Sequence, residues 1–289
     1  MALSELGKRV AVAVLGIPLT MAAVYLGGWL LGVVLATASA LGTLELYRLA
    51  AARGLRPFRA AGAMLAATLI LIATAIPTVA AATPIFWTAV LVAALLLTTA
   101  AIWARGTDGG PLSAVSVTLL GAVLLGGTLS YAVFLRYLPV PAGFADFDPR
   151  LRGCALVAFP LALTWVSDSG AYFGGRALGR RKLIPSVSPA KTVAGAIIAV
   201  VCSLLAGALI GWFLDGRFGL DLGIVEGALG GVLISVAAQL GDLAESLLKR
   251  EAKVKDSGRL FPGHGGLLDR VDSLLFAIPA AFWYLGAVL

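Results

Sequence analysis

Apolar runs about as long as a bilayer is thick follow one another from one end of this chain to the other, with only short polar breaks between them. The run "VLVAALLLTTAAIWA", residues 90–104, contains no charged side chain and has no polar face to leave in water. A membrane-spanning helix needs about 20 mainly apolar residues. Inside lipid the backbone must satisfy its own hydrogen bonds, so such a run becomes a helix. Nine runs of this kind are expected, over approximately 9–26, 28–47, 60–82, 85–104, 114–135, 153–171, 192–214, 223–244 and 272–289. A composition of 60% hydrophobic and 13% charged residues, with mean hydropathy +0.98, lies well outside the soluble range and agrees with that reading. The expected fold is therefore an all-α polytopic membrane protein with about nine transmembrane helices. About five lie in residues 1–135 and about four in a C-terminal region, 153–289, whose cytoplasmic loops are 172–191 and 245–271. The first run begins with Lys8 and Arg9 but is followed by another apolar span and not by a small-residue cleavage site, so it reads as retained.

The basic residues set the orientation. With the N-terminus in the cytoplasm, only Arg136, Arg150, Arg152 and Arg217 fall on the far side, and the other 18 of the 22 Lys and Arg are cytoplasmic. The net charge of +7 then needs no nucleic acid as partner, because loops facing anionic membrane lipids account for it. This places the chain in the inner (cytoplasmic) membrane, multi-pass, with its active site facing the cytoplasm. Cys154 and Cys202 lie inside apolar spans, without the paired spacing of zinc or redox sites. Small residues along several spans permit packing within one chain or between copies, which leaves a homo-oligomer open.

Charge at membrane depth is costly and marks candidate sites. Asp168 and Tyr172 stand one helical turn apart at the end of the sixth span. In the eighth, Gln239, Asp242 and Glu245 recur every three residues, and Ser246 and Lys249 continue that face. Asp269 and Asp272 are again three apart at the start of the ninth. Glu45, in the second span, is expected to pair with Arg48. Carboxylates gathered in this way repel one another unless a cation sits between them. Asp242, Asp269 and Asp272 are thus candidate metal ligands, and with only oxygen ligands on offer the metal is expected to be Mg²⁺, with a second cation left open.

Metal flanked by Lys and Arg is how proteins handle phosphates. Two loops supply those cations. "GRALGRRKLIPSVSPAKTVAG", residues 175–195, ends with Ser188, Lys191 and Thr192 just before the seventh span, and Ser188 before Pro189 reads as an anion site or a helix N-cap. The second, "SLLKREAKVKDSGRLFPGHGGLLDRVDS", residues 246–273, holds six basic and four acidic side chains and His264, the chain's single histidine. Its Gly265 and Gly266 let the backbone approach a ligand closely. Neither a Walker A pattern nor GxGxxG occurs, so no soluble nucleotide-binding fold is embedded here.

This second stretch resembles the signature of the phosphatidate cytidylyltransferase (CDP-diacylglycerol synthase) family at Ser246, Lys249, Arg250, Lys255, Asp256, Pro262, His264, Gly265, Gly266, Asp269, Arg270 and Asp272. The likeness extends back through Gln239, Gly241, Asp242, residues 188–195 and "SDSGAYFGGR" at 167–176, and departs at Ala190 and Ala194, where the family commonly has polar residues. The resemblance implies transfer of the cytidylyl group of CTP to phosphatidic acid, giving CDP-diacylglycerol and pyrophosphate. It implies catalytic roles for Asp242, Lys255, Asp256, Asp269 and Arg270. Substrate binding would fall to Asp168, Tyr172, Ser188, Lys191, Thr192, Lys249, Arg250, His264, Gly265 and Gly266. Two other readings stay open: a CTP-dependent transferase acting on an ether lipid or polyprenol, and a secondary transporter of an anionic substrate.

Overall fold

The computed structural model describes residues 16, 18–140, 148–218, 222–258, 260 and 265–289. In chain order its helices are α1 (residues 18–26), α2 (Gly28–Ala51), α3 (Arg59–Ala75), α4 (Val79–Ala104), α5 (Pro111–Ala122), α6 (Thr128–Arg136), α7 (Pro149–Leu178), α8 (Val193–Phe218), α9 (Ile224–Glu251), α10 (Leu268–Val271) and α11 (Leu274–Val288). A π-helical turn, Val123–Gly127, joins α5 to α6, and one antiparallel hairpin pairs β1 (Lys182–Ile184) with β2 (Ser188–Thr192). Among the described residues, seven helical stretches are long and apolar enough to cross a membrane: α2, α4, α5 through α6, α7, α8, α9, and α10 through α11. The chain is an integral membrane protein built of helices. The first expected span lies partly outside the described residues, as do Lys8 and Arg9.

The third expected span, 60–82, is corrected: α3 has 17 residues and stops at Ala75, and the next helix starts at Val79. Pro77 is the cause. A residue before proline is pushed out of the α region, and Ile76 is extended at φ −131°, ψ 81°.

The chain forms two compact units. One comprises Met1–Phe134 with Leu248–Val271, the other Leu135–Leu247 with Asp272–Leu289. In the first, the Tyr47 ring is fully buried between α3 and α5, and its hydroxyl donates to Thr118 O at 2.5 Å. Gly62 and Gly121 make room for that ring, since a Cβ at either would run into it. The end of α2 is closed by a Schellman motif, in which Gly54 at φ 79° donates to Ala51 O and Leu55 donates to Ala50 O.

In the second unit, the backbones of α8 and α9 touch through glycine. A Cβ at Gly207 would strike Gly227 O, one at Gly211 would lie 3.0 Å from the Gly227 Cα, and one at Gly231 would strike Ser203 O. Small residues four apart on facing helices permit this close approach. The helix α7 starts on Asp148, whose side chain accepts from Arg150 N at 2.8 Å, with Pro149 at the first helical position.

The loop before α8 differs from expectation in one respect. Ser188 is not a helix N-cap but lies in β2, paired with Ile184. The turn between the strands places Pro185 second of four residues, closed by Val187 N donating to Ile184 O at 3.1 Å. Thr192 caps α8 instead, its hydroxyl accepting from Gly195 N at 3.1 Å. A Cβ at Gly175 would lie 3.0 Å from that hydroxyl, so the cap is packed tightly against α7.

Candidate active site

Acidic and basic side chains collect in each unit. In the second unit, Asp242 sits on α9, Asp168 on α7, Lys191 on β2, and Asp272 in the turn before α11. Lys191 Nζ lies 2.6 Å from Asp242 Oδ2, and Ser246 Oγ donates to Asp242 Oδ1 at 3.3 Å. The two side chains are partly exposed, at 26% and 33%, while the Lys191 ammonium itself is buried against Asp242. Asp168 feels the charges of Asp242, Asp272 and Lys191.

What holds Asp168 and Asp242 in register is a buried polar ladder. Ser167 Oγ lies 2.8 Å from Ser235 Oγ, and Gln239 Nε2 donates both to Ser235 Oγ at 3.2 Å and to Ala196 O at 3.4 Å. Both serines are fully buried. The ladder thus ties α7, α8 and α9 together next to the two acids, and buried polar groups satisfied in this way fix a unique helix packing. Gly241 brings α9 against the start of α11, where a Cβ would come 2.5 Å from Asp272 O. Asp272 and Asp269 do not share one helix turn as expected. The helix is interrupted after α10, and Asp272 Oδ1 accepts from Ser273 N at 2.6 Å in the break.

In the first unit the organiser is Asp269 on α10. Lys249 Nζ donates to its Oδ1 at 2.7 Å, while Oδ2 accepts from Ser257 N at 3.0 Å, Ser257 Oγ at 2.9 Å and Gly266 N at 2.8 Å. Lys249 and Asp269 have side chains only 13% and 7% exposed. Gly265 takes φ 79°, and a Cβ there would come 2.6 Å from Asp269 Oδ2. Glycine at 265 and 266 therefore lets the loop close on its own carboxylate.

Glu45 is the residue that sequence reasoning misplaced. It does not pair with Arg48; its Oε2 accepts from Leu268 N at 2.8 Å and lies 3.2 Å from Ser257 Oγ, and the side chain is buried. The available signal was an acid inside an apolar span.

The remaining expected residues are spread over exposed surface. Lys255, Asp256 and Arg270 are exposed, Arg250 is exposed and donates to Val254 O at 3.4 Å, and Tyr172 is exposed with Arg176 Nη1 donating to its hydroxyl at 3.3 Å. His264 lies outside the described residues. Among the described residues no three His, Cys, Asp or Glu side chains form a ready cage for a metal. The Asp242 cluster nonetheless fits a hard cation. It offers carboxylate oxygens on partly exposed side chains, and Lys191 is the cation that now occupies Asp242.

A helical membrane protein with an oxygen-rich acidic cluster and basic loops is of the class that handles phosphate groups at a membrane surface. The chain belongs to the cytidylyltransferase family, whose model matches residues 7–288. Among its relatives is a phosphatidate cytidylyltransferase of Synechocystis sp., 35% identical over 98% of this chain and 97% of the relative. Phosphatidate cytidylyltransferases of Staphylococcus saprophyticus and Staphylococcus epidermidis are 41% and 42% identical over 46% and 48% of this chain, covering 50% and 53% of their own lengths.

Proposed function

We propose that this chain transfers the cytidylyl group of CTP to phosphatidic acid, leaving CDP-diacylglycerol in the membrane and releasing pyrophosphate. The observation that carries this reading is likeness to a phosphatidate cytidylyltransferase along nearly the whole of both chains. Family membership favours it over transport of an anion.

A phosphate oxygen of the lipid forms a bond to the α-phosphorus of CTP, and the bond from that phosphorus to the bridging oxygen of the pyrophosphoryl group breaks. The lipid phosphomonoester, with a second pKa near 6, is already largely dianionic at pH 7, so no side chain has to remove a proton. The obstacle is repulsion between two anions. Asp242 and Asp272 would hold Mg²⁺, which when bound offsets that repulsion and the charge that grows on the pyrophosphate. Asp269, in the other unit, has its Oδ1 taken by Lys249. Lys191, whose ammonium is now paired with Asp242, would exchange that carboxylate for a CTP phosphate once a cation holds Asp242. Arg250, Lys255 and Arg270 are exposed cations of the other unit, of the kind that binds phosphate oxygens.

The test supplies labelled CTP, Mg²⁺ and phosphatidic acid to purified protein in detergent and looks for a CDP-lipid. Lys191→Ala is expected to raise the KM for CTP about tenfold, the worth of one charge-assisted hydrogen bond. Arg56→Ala, an exposed cytoplasmic cation away from both clusters, is expected to change nothing measurable. Equal losses from both variants would replace a placed site by a diffuse surface field, and a protein that makes no CDP-lipid at all would end the proposed activity.

Sidedness follows from the distribution of Lys and Arg and from CTP being a cytoplasmic nucleotide. A single thiol introduced by Glu251→Cys, at the exposed end of α9, in a Cys154→Ala and Cys202→Ala background, is expected to react with a membrane-impermeant maleimide only when the cytoplasmic side is open. Labelling from outside intact cells would reverse the orientation.

A further inference from the structure

We infer that Glu45 is a positioning residue for cytidylyl transfer, holding Ser257 and the start of α10 at Leu268, and through them the Asp269 carboxylate, in working geometry. This rests on the activity proposed above. Glu45 lies on α2, 223 residues before Leu268, and is 3% exposed. A buried acid in an apolar helix is costly, and such groups persist where their charge is used.

Both hydrogen bonds of the Glu45 carboxylate go to residues around Asp269. Its Oε2 accepts the backbone N–H of Leu268 at 2.8 Å, which is the start of the short helix carrying Asp269. The same oxygen lies 3.2 Å from Ser257 Oγ, which is itself 2.9 Å from Asp269 Oδ2. One hydroxyl proton is therefore shared between two carboxylates, and Ser257 is the link by which Glu45 acts on Asp269. The backbone closes around this link with no space to spare. A Cβ at Gly258 would strike Glu45 Oε1, and one at Gly266 would strike both Glu45 Oε2 and Ser257 Oγ. Two glycines on either side of the loop are thus shaped to one glutamate from a distant part of the chain.

The consequence is a division of labour. Lys249 and Asp269 are ion-paired within this loop, and Arg250, Lys255 and Arg270 flank it. Glu45 touches none of these cations in this arrangement; it fixes the backbone on which they stand. Loss of Glu45 should therefore loosen phosphate recognition before it affects the lipid acceptor.

Glu45→Gln preserves the shape of the side chain but places an amide where a charged acceptor faced Leu268 N or Ser257 Oγ. We expect protein of wild-type yield and melting behaviour, with the KM for CTP raised about tenfold or more, as for loss of a hydrogen bond to a charged group. The KM for phosphatidic acid should change less than about threefold, a difference too small to correspond to a lost bond of that kind. Ser257→Ala, which cuts only the link to Asp269, should raise the KM for CTP in the same direction by less. The double variant should be no worse than Glu45→Gln alone, because both changes act through one loop. Wild-type KM for CTP in folded Glu45→Gln would overturn the inference, as would equal changes in both KM values. Should Glu45→Gln fail to fold, Ser257→Ala decides: a wild-type KM for CTP there refutes the link. A wild-type protein that makes no CDP-lipid is a separate result, and refutes the activity and not the role of Glu45 within it.

Discussion

Asp242→Asn is expected to leave a folded, membrane-inserted protein whose cytidylyl transfer falls by at least about a hundredfold, the scale of losing one group that stabilises developing charge. The fold does not depend on this carboxylate. Its side chain is 33% exposed, the helix that carries it is held by the Ser167–Ser235–Gln239 ladder, and an asparagine oxygen can still accept from Ser246 Oγ. What the amide removes is charge. Lys191 loses its partner at 2.6 Å and a cation loses a ligand that attracts it. The measurement is CDP-lipid formation at saturating CTP over a range of Mg²⁺. Turnover near wild type at limiting Mg²⁺ would remove Asp242 from the metal site. A loss that rising Mg²⁺ progressively repairs would locate the defect in cation affinity and retain the assignment.

The membrane character and most helix positions were legible because hydropathy reports the solvent directly. Local chemistry was legible where partners are near in sequence: the face shared by Asp242 and Ser246 appears as a hydrogen bond one turn apart. Helix ends were harder. Pro77 was visible, but it lies within a long apolar run, and hydropathy carries no information about a three-residue break. Thr192 and Ser188 are both good caps by type. Which one caps is decided by the hairpin that precedes α8, and that hairpin forms by pairing Lys182 with Thr192 across a proline turn. Glu45 was the largest gap. Its spacing to Arg48 suggested a local pair, whereas its hydrogen bonds reach residues more than 200 positions away, and no periodicity encodes a contact of that kind. The order of Asp269 and Asp272 shows the same limit. Three-residue spacing places both on one turn only if the helix is continuous, and here Asp269 lies in α10 and Asp272 in the break that follows it.

Asp269→Asn is expected to abolish transfer by a different route, by releasing the loop. The carboxylate accepts four hydrogen bonds, one from Lys249 on Oδ1 and three from Ser257 and Gly266 on Oδ2. An amide has one acceptor and one donor end. With its oxygen toward Ser257 and Gly266, its NH₂ faces the Lys249 ammonium; turned around, its NH₂ faces three donors. Either orientation leaves Lys249 or the loop amides without their acceptor in a largely buried place, and breaking such a pair costs about 3 kcal/mol or more. The loop should open before the helices do, because Asp269 accepts three hydrogen bonds from its described residues Ser257 and Gly266. Hydrogen exchange at Ser257, Gly266 and Leu268 is therefore expected to rise sharply in Asp269→Asn and to stay at the wild-type level in Asp242→Asn, with both variants inactive. If Asp269→Asn loses activity while those amides remain protected, Asp269 serves by its charge and not by organising the loop; if it keeps near wild-type activity, the Lys249–Asp269 pair has no part in the reaction.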